Sequence, residues 1–161
     1  MSAMVAKQSF YIDAPVETVF DYFKDPNQQR DAVLFDLHDV KVTKEGVGTH
    51  YTWSFKVAGL RFEGLEVLTE VVPNKHITER SSLALTGLWD YDFTPDGTGT
   101  RLTMTVHPQS FWRFPPLDTL VDLAFPRVSK AVMPRLIQAI EAEARKPKAA
   151  PSRPRKTAAS R

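Results

Sequence analysis

Apolar and polar residues alternate with a period of two between residues 36 and 109, and recur every third or fourth position on either side of that stretch. The first period marks strands with one buried face, the second helices with one buried face. Residues 5–12, VAKQSFYI, read as a first strand. Asp13-Ala14-Pro15 reads as a helix start, with proline in the first turn and a capping carboxylate just before it. Val16, Val19, Phe20 and Phe23 then follow at helical spacing. Asp25-Pro26-Asn27 ends this helix, because the residue before a proline is pushed out of the α region. A second short helix is expected over 28–33.

Six further strands are predicted, over about 37–43, 49–57, 60–72, 76–83, 88–94 and 100–107. The third strand of the chain sets Tyr51, Trp53, Phe55 and Val57 against His50, Thr52, Ser54 and Lys56. The sixth sets Trp89, Tyr91 and Phe93 against Asp90 and Asp92, and the seventh sets Leu102, Met104 and Val106 against Arg101, Thr103 and Thr105. Between these two, Pro95-Asp96-Gly97-Thr98-Gly99 is the strongest hairpin signal in the chain. After Pro115-Pro116 the helical period returns. Leu117, Leu120, Val121, Ala124, Val128, Val132, Leu136 and Ile140 line one face of a long helix, which Pro126 and Pro134 should kink or split.

The predicted fold is α+β: about seven antiparallel strands in a curved sheet wrapped around a long C-terminal helix, with two short helices after the first strand. Adjacent strands joined by tight turns make an antiparallel meander. The long helix is the one element large enough to cover its apolar face. A strongly curved sheet closed over one helix is expected to enclose an apolar pocket.

Charge changes the picture at one end. The net charge is +2, but residues 145–161 carry seven Lys or Arg and no acid, leaving 14 basic and 19 acidic residues in the rest, a net of −5. Residues 147–161, PKAAPSRPRKTAASR, hold no large apolar side chain. Such a segment cannot bury enough surface to offset its ordering entropy. The expected division is a domain over 1–145 and a disordered basic tail over 146–161. A solubilising role suits that tail best. Non-specific contact with anionic lipid or nucleic acid is the alternative, although the tail has no aromatic residue to stack on bases. With 42% hydrophobic and 25% charged residues among 161, the body has the composition of an ordinary globular domain. The chain has no cysteine, which excludes disulfides, thiolate metal sites and a cysteine nucleophile. The first residues show no apolar run of signal-peptide length, so a soluble, cytoplasmic protein is expected.

The opening FYIDAPVETVFDYFKDP resembles the first strand and helix of the START-like, or SRPBCC, superfamily. GTGTRLTMTV resembles its last hairpin and strand, and VLTEVVPNKHITERSS its turn between strands four and five. The nearest subgroup is the polyketide cyclase/dehydrase and lipid-transport-like proteins. The resemblance spans residues 5–145 and implies the helix-grip fold. It leaves function wide, because this fold hosts hydrophobic-ligand carriers, cyclases and hydrolases, and no family catalytic motif transfers residue by residue.

Candidate chemistry centres on the aromatic ladders. Tyr51, Trp53, Phe55, Trp89, Tyr91 and Phe93, with Met104, read either as the packed inner face of the sheet or as the lining of a pocket for an apolar or aromatic ligand. The polar tips of Tyr and Trp need partners when buried, which suits a pocket with polar contacts. His38 shares a strand phase with Val40 and Val42; pointing inward near the rim, it would act as an acid or base, and otherwise it is a satisfied or rim-exposed histidine. His50 and His107 fall in the polar phase of their strands, and His76 opens the fifth. Arg61 and Glu63 are inward if counted from Leu65 and Val67, outward if counted from Leu60, Phe62 and Leu68, unless a bulge at Gly64 resolves the conflict. An inward Glu63 is the carboxylate candidate for a pocket acid; Glu79 and Arg80 share the ambiguity. Histidine spacing shows no metal motif, no GxSxG elbow or phosphate-binding loop is present, and no cofactor is implied. Phe111-Trp112-Arg113-Phe114 either packs under the long helix or forms a gate or a membrane- or partner-touching patch. The leading expectation is binding of a small hydrophobic molecule (a lipid, polyketide or isoprenoid). The alternatives are a cyclase- or dehydratase-type enzyme and an interaction module with a vestigial cavity. A transient membrane contact is compatible with all three; specific nucleic-acid binding is not expected. Ligand identity and oligomeric state stay open.

Deleting residues 147–161 should leave the melting temperature nearly unchanged in a thermal melt. A drop of more than a few degrees would show the tail docked on the body.

Overall fold

In the computed structural model, which describes residues 6–57, 59–83, 86–109 and 115–147, and of residues 57, 60 and 115–125 the backbone alone, seven strands and two helices follow one another in the expected order. Strand β1 (Ala6–Ile12) leads into helix α1 (Val16–Lys24) and a 3₁₀ turn (Pro26–Gln29). Strands β2 (Asp36–Lys41), β3 (His50–Val57), β4 (Leu60–Val72), β5 (His76–Leu83), β6 (Gly87–Asp96) and β7 (Gly99–Pro108) come next, then helix α2 (Pro115–Ala144). All pairings are antiparallel. From β2 to β7 the chain meanders, and β1 pairs with β7, giving the order β1-β7-β6-β5-β4-β3-β2. The β6–β7 hairpin closes through Gly97-Thr98, where Gly97 takes a φ of 61° that a side chain would oppose.

The curved sheet grips α2. Val132, Met133, Leu136 and Ile140 of α2 pack with Ile12, Leu68, Ile77, Phe93 and Leu102 of the sheet and with Val19, Phe20 and Phe23 of α1. Phe20 and Phe23 both meet the Phe93 ring edge-on, at centroid distances of 5.5 and 5.7 Å. This core fills one end of the inner face. A smaller cluster of Leu37, Tyr51 and Trp53, backed by Val33, Phe35, Val40 and Phe55, lies toward the β2 edge.

Local details depart from the sequence reading. Asp13 does not cap α1: Pro15 occupies the cap position without a side-chain bond, while the Asp13 amide donates to Glu141 of α2 at 3.0 Å. The expected second helix is the 3₁₀ turn, begun two residues earlier and capped by Asp25, whose carboxylate accepts from the Asn27 amide at 3.0 Å. Neither Pro126 nor Pro134 splits α2, which runs for 30 residues. Each proline removes one hydrogen bond from the ladder, and packing along the inner stripe holds the axis together. That stripe is Ser129, Val132, Met133, Leu136 and Ile140. Val128, expected on it, is 54% exposed, one position out of phase. The aromatic run 111–114, the helix positions 117–124 as side chains and the basic tail from residue 148 lie outside the described residues.

Ile140 is fully buried, so Ile140→Ala should destabilise the fold by about 2–5 kcal/mol in urea unfolding. Val128→Ala should change stability by less than about 0.5 kcal/mol. Equal losses at the two positions would contradict this orientation of α2.

Candidate functional site

Between the core and the far end of the inner face lies a belt of polar side chains. Strand alternation brings them together. On β4 the inward positions are Phe62, Gly64, Glu66 and Leu68; on β5 they are Ile77, Glu79, Ser81 and Leu83. Glu66 stands opposite Tyr51 on β3 and Ser81 on β5, while Glu79 stands opposite Leu68 on β4 and Trp89 on β6. Two carboxyls on neighbouring strands thus face the same interior, at 6% and 7% exposure.

Each is held by aromatic and hydroxyl donors. The Trp53 indole Nε1–H donates to Glu66 Oε1 at 2.7 Å, and Ser81 Oγ donates to the same oxygen at 2.6 Å. Tyr91 donates its hydroxyl to Glu79 Oε2 at 3.1 Å, and Tyr51 also hydrogen-bonds Glu79. Glycine at 64 makes the first arrangement possible. Trp53 and Gly64 are direct cross-strand partners, and the indole lies across β4 where a side chain would stand. Any Cβ at position 64 would overlap the indole ring and drive its Nε1 away from Glu66. Phe55 then stacks on Trp53 at 5.6 Å, and Phe62 on Phe55 at 5.3 Å, with Phe35 tilted against the other side of the indole.

Burial dominates the electrostatics. Loss of hydration pushes the Glu66 carboxyl from the usual 4.5 up to about 8, and the nearby Glu79 adds to the rise, against the opposing pull of Ser81 and Trp53. Glu79 is raised by burial as well, and the two tyrosine hydroxyls oppose the shift. Tyr51 and Tyr91 titrate well above their ordinary value, because burial and the carboxyls both disfavour phenolate. Both tyrosines therefore remain hydrogen-bond donors at neutral pH. Glu66 Oε2 is buried and has no hydrogen-bond partner among the described residues.

The residues singled out in the sequence divide into two sets. Tyr51, Trp53, Phe55, Trp89, Tyr91, Phe93 and Met104 all share the inner face. Phe93 and Met104 belong to the main core, whereas Phe55, Trp89 and Tyr91 are half-buried. His38 and Glu63 do not come together. His38 pairs with Thr52 on the outer face, because Asp39, at a φ of 53°, forms an irregularity that resets the strand phase before Val40. Glu63 pairs with Ser54 on that same face, 46% exposed and ion-paired to Arg61 at 2.7 Å. The β3–β4 register runs without a bulge through Gly64; the irregularity in β4 falls between Leu68 and Glu70. Also on the outer face, His76 bonds Asp92 at 2.7 Å and His107 bonds Asp90 at 3.0 Å. Sequence reasoning missed Glu66, since both neighbours in its strand are apolar. Counting outward from the short Val57–Leu60 connection would have found it, because that register sets Trp53 opposite Gly64 and Tyr51 opposite Glu66. Two depressions in the surface lie elsewhere, one beside α1 at Glu17, Lys24 and Asn74, the other between Asp31 and Arg135. Neither contains a residue of the polar belt.

An antiparallel seven-stranded sheet curved about a long C-terminal helix, with its short helices after the first strand, defines a helix-grip protein. The chain belongs to the polyketide cyclase/dehydrase and lipid transport family, whose model matches residues 4–145. No match is found among curated proteins. Among solved structures it is similar to protein NE0264 from Nitrosomonas europaea, at 14% identity and a TM-score of 0.69 over 88% of this chain and 96% of that one. Protein CV1439 from Chromobacterium violaceum is similar at 17% identity and a TM-score of 0.65, over 86% and 98%. TTHA0849 from Thermus thermophilus is similar at 19% identity and a TM-score of 0.60, over 88% and 97%. At these identities the likeness is one of fold. No helix among the described residues is long and apolar enough to cross a membrane.

A raised carboxyl couples stability to pH. The folded protein holds the Glu66 proton up to about pH 8, whereas the unfolded chain releases it near 4.5. The stability contribution of this group is therefore complete below the unfolded value and is lost as pH rises through that window. Glu66→Gln should flatten the dependence, and at pH 8 and above it should melt higher than wild type. A wild-type melting temperature with the same pH profile as Glu66→Gln would contradict a protonated Glu66.

Proposed function

We propose that the chain binds one small, mainly apolar molecule in an internal cavity against the inner face of its sheet, beyond the packed core. The observation that carries this reading is the unequal burial of that face. Positions at the core end are closed, while Phe55, Trp89 and Tyr91 remain half-buried although they point to the same side. Large aromatic side chains turned inward but incompletely covered are what a ligand surface requires. Membership of a cyclase and lipid-transport family supports the same class of ligand. The buried carboxyl pair supports a second reading, an enzyme of cyclase or dehydratase type acting on such a molecule, since two carboxyls in different settings suit acid–base work.

Titration with the neutral dye N-phenyl-1-naphthylamine should saturate at about one site, with blue-shifted emission and quenching of tryptophan. Trp89→Ala should weaken binding by about tenfold or more, because a lost aromatic contact costs on the order of 2 kcal/mol or above. No binding to a well-folded sample would remove the ligand reading and leave an interaction module. Native mass spectrometry of protein purified from its own host would identify the bound class, and conversion of that ligand on incubation would favour the enzyme over the carrier.

A further inference from the structure

Glu66 has one oxygen fully engaged and one without a hydrogen-bond partner among the described residues. Oε1 accepts from the Trp53 indole and from Ser81. Oε2 is buried and makes no hydrogen bond among the described residues. With both lone-pair directions of Oε1 occupied by donors, the proton of a neutral carboxyl sits on Oε2. A buried hydroxyl of this kind is a donor that lacks an acceptor, and leaving it so is unfavourable. Glu79 does not serve as the acceptor, for Oε2 makes no bond to it, and its own carboxyl accepts from Tyr91 and Tyr51.

We propose that Glu66 Oε2–H is the hydrogen-bond donor that anchors the carbonyl oxygen of an otherwise apolar ligand. The inference rests on the ligand-binding reading above and adds to it the chemistry of the polar contact. Other ligand groups fit less well. A carboxylate or phosphate would enter an interior whose burial already disfavours the ionised form of both Glu66 and Glu79. An ammonium group needs an acceptor and would be served by an ionised Glu66. A hydroxyl can accept from Oε2, but its own proton would then need a further partner. A ketone or ester oxygen accepts and asks for nothing more. Trp53, bonded to the carboxyl, Phe55, stacked on Trp53, and Trp89, opposite Glu79, supply apolar surface on the same face for the body of such a molecule.

The donor exists only while Glu66 is protonated, which makes recognition pH-dependent. Among the described residues, the titratable groups facing it are Glu79 from β5, Tyr51 from β3 and Tyr91 from β6. β7 and β1 contribute the uncharged Met104 and Gln8, and the described part of α2 contributes Ser129, which donates to Gln8. Both tyrosines stay protonated through the range in which Glu66 titrates. Burial holds the Glu66 proton up to about pH 8, and a bound acceptor would hold it higher.

The test compares two probes of nearly the same shape, 2-acetylnaphthalene and 2-ethylnaphthalene, binding to the full chain. At about pH 6 the ketone should bind roughly tenfold more tightly, the size of one buried hydrogen bond. That preference should shrink toward unity near pH 9.5. Glu66→Gln should keep the preference at both pH values, since the amide N–H₂ takes the place of Oε2–H while the amide oxygen still accepts from Trp53 and Ser81. Glu66→Met should abolish it while still binding 2-ethylnaphthalene. If Glu66→Met fails to fold, the loss of pH dependence in Glu66→Gln carries the test alone. Equal binding of both probes by wild type at pH 6 would overturn this inference and leave the ligand reading standing. Binding of neither probe would overturn both. A ketone preference that rises with pH, or one that survives in Glu66→Met, would place the donor elsewhere.

Discussion

The hydrogen bond from the Trp53 indole to Glu66 links two requirements that neither residue meets alone. Trp53 brings a large apolar ring into the sheet interior together with an N–H that must find an acceptor. Glu66 brings a carboxyl into the same interior, where an unpartnered oxygen is costly. At 2.7 Å the indole finds its acceptor and one of the two carboxyl oxygens a donor. The bond needs the indole to lie flat across the next strand, which is why position 64 has no side chain. Once the indole is placed, Phe55 and Phe62 stack outward from it in sequence. The arrangement of the whole β3–β4 end of the inner face therefore follows from one donor, one acceptor and one glycine.

The two carboxyls differ in a way that follows from their donors. Tyrosine hydroxyls on two different strands converge on Glu79, whereas Glu66 is approached on one oxygen by an indole and a serine. Two carboxylates in one low-dielectric interior repel, so the first proton taken up by the pair relieves both. The carboxyl whose second oxygen has no partner among the described residues is the one that can use that proton to make a new bond. The geometry thus separates the two carboxyls: Glu79 is held by two tyrosine hydroxyls, and Glu66 keeps one buried oxygen without a hydrogen-bond partner among the described residues.

How much of this the sequence disclosed depended on strand patterning. In β3 and β6 aromatic residues alternate with polar ones, so the inner face was legible, and the structure puts Tyr51, Trp53, Phe55, Trp89, Tyr91 and Phe93 on it. In β4 apolar residues occur in both phases. Leu65 and Val67 lie half-buried on the outer face while Glu66 is inside, a reversal of the usual pattern. Hydropathy then leaves the facing of Glu63 open, and the structure pairs it with Arg61 on the outer face. His38 failed for a different reason. Counting phase from Val40 and Val42 puts it inside, and the positive φ at Asp39 breaks that count within two residues. Register from the connecting turns recovers Glu66; a one-residue irregularity such as that at Asp39 leaves no hydropathy signal to recover.

A protein that needed only a firm core would not place Glu66 where it is. An apolar side chain of similar volume would avoid the desolvation that lifts its carboxyl to about 8, and replacing buried polar groups by well-packed apolar ones is commonly neutral or stabilising. Trp53 and Ser81 would lose an acceptor, yet both could be changed with it. What the carboxyl adds is a buried oxygen without a hydrogen-bond partner among the described residues. An unsatisfied buried group costs about 1–3 kcal/mol, and a ligand oxygen that satisfies it recovers that amount on binding. Expressed as affinity this is roughly 5- to 150-fold, selective for molecules that carry an acceptor in the right place. On the proposed reading, the contact that makes the complex specific is the one whose absence makes the free protein less stable, so stability and recognition are linked through one atom.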